Sequence, residues 1–238
     1  MIEAKHHKIS KIIFDIYLQR LFKKNFYSFY LINEIPKLDL DKPIILAPNH
    51  STWWDGFLAY YLNEIYFKKR FYIMILEESL SRYKFFQKLG GFSINQNSPK
   101  AIIKSLDYTI NILKNDRNSL FTIFPQGILM PYFIEDYQLA KGLEKIVEKV
   151  GNKVNLIFAT FNIFYLKEEK PEVFFNFKRV DLSEKFEIEN YMDIFKEMIK
   201  ITKESILNND KGEMIFNGKK SISEISKNFF GLRRNGNN

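Results

Sequence analysis

The stretch IILAPNHSTWWDG, residues 44–56, gathers residue types that can do chemistry. His50 and Asp55 stand five positions apart, with Ser51, Thr52, Trp53 and Trp54 between them and Asn49 just before. These are the only tryptophans, and no other histidine lies beyond residue 7. A carboxylate that holds one nitrogen of an imidazole leaves the other nitrogen to act as a base, which is the orienter–base half of a catalytic triad. A regular helix does not bring the two together, because five residues turn through about 140°. Contact requires His50 in the turn before a helix, with its ring folded over the first helical turn, and Pro48-Asn49 is a turn signal. A plainer reading fits the same letters: Thr52 and Asp55 form a capping box, the acid favours the positive helix end, and the tryptophans are core. No protein nucleophile accompanies the pair, since there is no cysteine and no G-x-S-x-G elbow. A working dyad here would activate a hydroxyl of the substrate, or water.

The second stretch is FTIFPQGIL, residues 121–129. An apolar run again ends in a turn, Phe124-Pro125-Gln126-Gly127. Alone this is common strand punctuation. Two polar turns at the ends of two strands are more telling, because open α/β sheets hold their ligands beyond the carboxyl ends of strands.

The elements that must position these turns follow from periodicity. Extended runs are expected at 26–32, 43–47, 70–76, 90–94, 119–124, 154–161 and 172–178. Helices are expected at 8–24, 52–66, 79–89, 98–114, 139–150 and 189–208, with Pro99 at a first helical position. Strands interleaved with helices predict an α/β fold: one layered domain, its mixed, mostly parallel sheet flanked by helices, plus an N-terminal amphipathic helix. The expected division is 1–25 for that helix and 26–238 for the α/β domain, its core at about 26–210. The tail from 209 is polar and carries no clear signal, apart from a short helix at 221–229 and a frayed RRNGNN end.

The bulk numbers bound the function. The chain has 238 residues, 46% hydrophobic, with no cysteine, and a net charge of +8 at a sequence pI near 9.3. A basic chain with 24 Phe and 13 Tyr suits an anionic partner, whether nucleic acid, lipid surface or acidic substrate. No nucleic-acid motif is present, so no nucleic-acid partner is expected. His6-His7 reads as a flexible end, and no metal site is expected. No apolar run approaches the ~20 residues that a spanning helix needs. The first helix sets a polar stripe of Lys8, Lys11, Asp15, Gln19 and Lys23 against Ile9, Ile12, Ile13, Ile16, Tyr17 and Leu21. Residues 1–25 carry six Lys/Arg and two acids. Such a helix either lies in a bilayer interface or packs on its own domain.

The two turns together resemble the glycerolipid (lysophospholipid) acyltransferase family. NHSTWWD has that family's N-H-x-x-x-x-D pattern, and FPQG lies about 70 residues later where the family has F-P-E-G-T-R. GGFSINQ (90–96) resembles its G-x-x-x-I-x-R block, and AKGLEKI (140–146) its F-K-x-G-x block. The resemblance spans roughly residues 25–180. It implies transfer of a fatty acyl group from acyl-CoA or acyl carrier protein to a hydroxyl of a lipid-like acceptor, with no resident cofactor. It also implies His50 as general base, Asp55 as its orienter, and substrate contacts from Asn49, Ser51, Gly91, Phe124, Pro125, Gln126, Gly127 and Lys141. The protein would sit peripherally on the cytoplasmic face of a membrane. The chain departs from the family at Gln96 for Arg, Gln126 for Glu, Ile128 for Thr and Leu129 for Arg. Those arginines suit a phosphate, and Gln and Leu lack their charge. A less anionic acceptor is therefore expected. The main rival is a degenerate, membrane-surface lipid-binding protein on the same fold.

Overall fold

In the computed structural model, residues 1–131, 139–183 and 186–218 are described, without the side chain of Asn190. One eight-stranded sheet organises them. Its strands are β1 (Ser28–Leu31), β2 (Ile44–Pro48), β3 (Arg70–Leu76), β4 (Gly91–Ile94), β5 (Ser119–Thr122), β6 (Asn155–Phe164), β7 (Glu172–Val180) and β8 (Glu213–Asn217). The order is β4-β3-β5-β2-β6-β7-β1-β8. The β4-β3, β3-β5, β5-β2, β2-β6 and β7-β1 pairs are parallel, while β6-β7 and β1-β8 are antiparallel. The expected α/β fold with a mixed, mostly parallel sheet is present.

Helices α1 (Lys8–Asn25) and α2 (Asp55–Leu62) cover one face of the sheet; α4 (Pro99–Asn115), α5 (Gly142–Val150) and α6 (Tyr191–Leu207) cover the other. A short α3 (Glu77–Arg82) lies at the end of β3. Central strands buried on both faces read as unbroken apolar runs. In β2, Ile44 and Leu46 enter the core under α1 and α2, while Ile45 and Ala47 enter the core under α4, α5 and α6.

Helix α1 is present, and it packs on its own domain while leaving an apolar face uncovered. Phe14, Leu18 and Phe22, at helical spacing, are buried on the domain. Ile9, Ile12, Ile13 and Ile16 face outward, between 51% and 63% exposed. The expected polar stripe is not simply a solvent face. Lys11 pairs with Asp15 at 2.9 Å and with Glu64, and the Tyr60 hydroxyl donates to Asp15 Oδ1 at 2.7 Å. Burial, with that carboxylate beside it, raises the Tyr60 phenol well above its ordinary range.

Several boundaries differ from the sequence reading. The 52–66 helix begins at Asp55 and ends in a wider turn, Asn63–Phe67, which Lys68 closes with a φ of 51°. The 79–89 helix is broken at Tyr83 into α3 and a 3₁₀ segment, Lys84–Leu89. Strand β8 falls in the polar tail, which carries no clear signal in its letters; backbone pairing with β1, not apolar alternation, makes it a strand. His6 and His7 are not a loose end: His6 Nε2 lies 2.8 Å from the Phe71 carbonyl, and His7 caps α1 by accepting from the Ser10 amide at 3.3 Å. The expected helix at 221–229 and the RRNGNN end lie outside the described residues.

Candidate active site

The two turns meet because β2 and β5 are parallel neighbours, with Leu46 opposite Thr122. Their carboxyl ends therefore emerge side by side. After β2 the chain enters α2 on one face; after β5 it reaches α5 on the other. This divergence opens a crevice at the strand ends.

Asn49 secures the end of β2. Its amide donates to the Ala159 carbonyl at 3.2 Å, and its side chain accepts from the Phe161 amide at 2.6 Å and donates to the Phe161 carbonyl at 3.3 Å. An asparagine side chain thus continues the β2-β6 ladder where the strand stops, and the chain turns into α2.

In that turn His50 Nδ1 lies 2.9 Å from Asp55 Oδ2. The same oxygen accepts the amides of Ser51 at 2.7 Å and Thr52 at 2.9 Å, and Oδ1 accepts the Thr52 hydroxyl at 2.6 Å. Asp55 is fully buried. Four donors on one buried carboxylate offset the desolvation of its charge. The two readings of these letters are therefore not exclusive. The acid reaches back to Thr52 N as in a capping box, and the carboxylate also holds the imidazole.

The β5 turn grips His50 from the other side. The Phe124 ring stacks on the imidazole, with centroids 4.1 Å apart and planes at 17°. Gln126 Oε1 accepts the His50 amide, and the His50 carbonyl accepts the Met130 amide at 2.8 Å. Gly127 closes the turn at a φ of 70°, a left-handed value that disfavours other residues, and a Cβ there would lie 3.3 Å from Ala140. Gln96 Nε2 donates to the Gly127 carbonyl at 2.9 Å, tying the 90–96 segment to this turn.

His50 faces a cavity of about 930 Å³. Its walls come from both cores: Phe14, Phe57 and Phe86 on the α1–α2 side, Ile102, Leu106 and Leu143 on the α4–α5 side. Its lysines and arginines are Lys141 and Lys145, at the start of α5. Of the residues expected to touch substrate, Phe124, Pro125, Gly127 and Lys141 line the cavity with His50. Asn49, Ser51, Gly91 and Gln126 do not; they lie behind its wall, because each is used to shape backbone. A Cβ on Gly91 would come within 2.9 Å of the Phe86 carbonyl, so that position serves close packing. Sequence reasoning missed Lys145 and the apolar lining on the α4–α5 side. Only the i, i+4 spacing from Lys141 hinted at Lys145.

An imidazole held by a buried carboxylate and facing a large apolar cavity, on a mostly parallel sheet, is an arrangement suited to proton transfer. The family model of the Acyltransferase family matches residues 26–155, and the chain belongs to that family. The matched span runs from β1 to the start of β6 and includes both turns. The general activity this carries is acyl transfer. No curated protein matches the chain, so no particular substrate follows from kinship.

Proposed function

We propose that the protein transfers a fatty acyl group from a thioester, acyl-CoA or acyl carrier protein, to a hydroxyl of a lipid-like acceptor. The observation that carries this reading is the His50–Asp55 pair at the mouth of the apolar cavity. His50 Nε2 takes the proton of the acceptor hydroxyl as its oxygen attacks the thioester carbonyl. Asp55 stabilises the imidazolium that forms and keeps the proton on Nδ1 before that step. The tetrahedral intermediate then collapses, the carbon–sulfur bond breaks, and the imidazolium returns its proton to the departing sulfur. A positioned base contributes typically ~10²–10⁴-fold.

The acceptor carries little negative charge near the reacting hydroxyl. Gln96 is engaged with the Gly127 carbonyl, and Ile128 and Leu129, both more than half exposed, make the adjoining wall apolar. The exposed isoleucines of α1, with Arg20, Lys23 and Lys24 in its last turns, suit an anionic membrane surface at its cytoplasmic face. Among the described residues no helix is long and apolar enough to cross a membrane.

The test supplies labelled acyl-CoA and acyl carrier protein with a total lipid extract, using wild type and His50→Ala side by side. Product from wild type alone, with both proteins folded by thermal melt, supports the reading, and its mass identifies the acceptor. Equal product from both removes His50 as the base. Product with no acceptor added, as free fatty acid, points to a thioesterase. In parallel, Ile12→Ser/Ile16→Ser is expected to weaken co-sedimentation with anionic vesicles at least several-fold.

A further inference from the structure

We infer that Gln126 is a positioning residue for His50, acting on its backbone and not on substrate; this rests on His50 being the base. Gln126 is 6% exposed and lies outside the cavity wall. Its Oε1 accepts the His50 amide, while its Nε2 is buried without a partner among the described residues. That combination needs a reason. Methionine or leucine would fill similar space without burying an orphan donor. What only a side chain with a terminal oxygen supplies here is the acceptor for one N–H, that of His50.

The consequence lies in how the imidazole is held. Asp55 fixes the ring through Nδ1 and the following peptide through the Ser51 amide, and Phe124 fixes the ring plane, but neither holds the His50 amide. Gln126 holds the His50 amide, and the Met130 amide holds the His50 carbonyl. With both peptide groups anchored, the Cα–Cβ bond has a set direction and Nε2 a set place. Loss of one anchor lets the ring shift, and a displacement of about 1 Å from the reacting geometry costs on the order of 10²-fold. The family's motif has Glu at this place. A carboxylate has the same acceptor, so the backbone grip survives the change in charge, whereas a residue without an oxygen would lose it.

The test compares wild type, Gln126→Met, Gln126→Leu and Gln126→Glu by transfer kinetics, and by ¹⁵N NMR of the histidine rings. His50→Ala identifies the His50 signals. In wild type His50 is expected as the Nδ1–H tautomer. The Met variant is expected to lower kcat about 10–100-fold with KM changed less than threefold, and to give a mixture of tautomers. The Glu variant should regain at least tenfold over Met. The Leu variant serves if Met does not fold. A folded Met or Leu variant with unaltered His50 signals and kcat within threefold of wild type overturns the assignment. If wild type transfers no acyl group, the functional reading fails separately and the NMR decides: mixed tautomers in the variants uphold the positioning role, unaltered ones overturn it.

Discussion

The turns after β2 and β5 are neighbours built on opposite plans. The β2 turn is organised around a charge. Asp55 is fully buried, and four donors converge on it, three from its own turn and one from His50. The β5 turn is neutral. Among the described residues, the Gln126 side chain makes one bond, to a backbone amide of the other turn, and leaves its Nε2 unpaired. The difference separates two tasks. Burying a carboxylate is costly unless donors surround it, and here they come from residues close in sequence. A neutral acceptor costs less to bury and can be brought from afar, here 76 residues along the chain. On the proposed reading, the charged turn supplies the base and the neutral turn its alignment.

That contrast can be broken most directly at the ring. His50→Ala is expected to lower acyl transfer by about 10²–10⁴-fold with little change in thermal melting, because the ring is partly exposed. Comparable activity in a folded variant would mean that the β2 turn is only a helix start. Asp55→Asn comes next. An amide nitrogen in place of one oxygen faces amide donors, so transfer should fall at least 10²-fold. Denaturant unfolding should register a loss of about 1–3 kcal/mol. Unchanged stability would show that the four donors do not depend on the charge. A smaller effect is expected from the neutral side. Phe124→Ala removes the ring stacked on His50, an interaction worth about 0.5–1.5 kcal/mol, so kcat should fall up to about tenfold. The smallest effect belongs to Thr52→Val, which removes one bond to Asp55 Oδ1 and one from the Trp54 amide. It should cost about 1 kcal/mol in unfolding experiments and leave transfer within several-fold. A loss as large as that of Asp55→Asn would mean that the hydroxyl, not the backbone, sustains the carboxylate.

Much of this was legible in the letters, for reasons that differ by residue. The central strands declare themselves because both faces are buried, so IILA and LIFATF are continuous apolar runs. His50 and Asp55 were legible as a possible contact because a turn residue before a helix and an acid three residues after Thr52 are local features. Strand β8 was not legible. It is a half-exposed edge strand with a burial pattern that gives no alternation, and only its partner β1 makes it extended. The grip of Gln126 on His50 was equally hidden, since it depends on which strands are neighbours. The outward isoleucines of α1 form an apolar face, but the side that packs is the one carrying Phe14, Leu18 and Phe22, which fill the core.

One contact between α1 and α2 has a mechanical consequence. Lys11, Asp15, Tyr60 and Glu64 join the two helices through a polar network, beside Phe14 packed against Phe57 and Tyr60. Helix α2 begins at Asp55. The outward isoleucines of α1 and the carboxylate that holds His50 therefore belong to one packed unit. In it the apolar face has a set bearing from the histidine as well as a set distance.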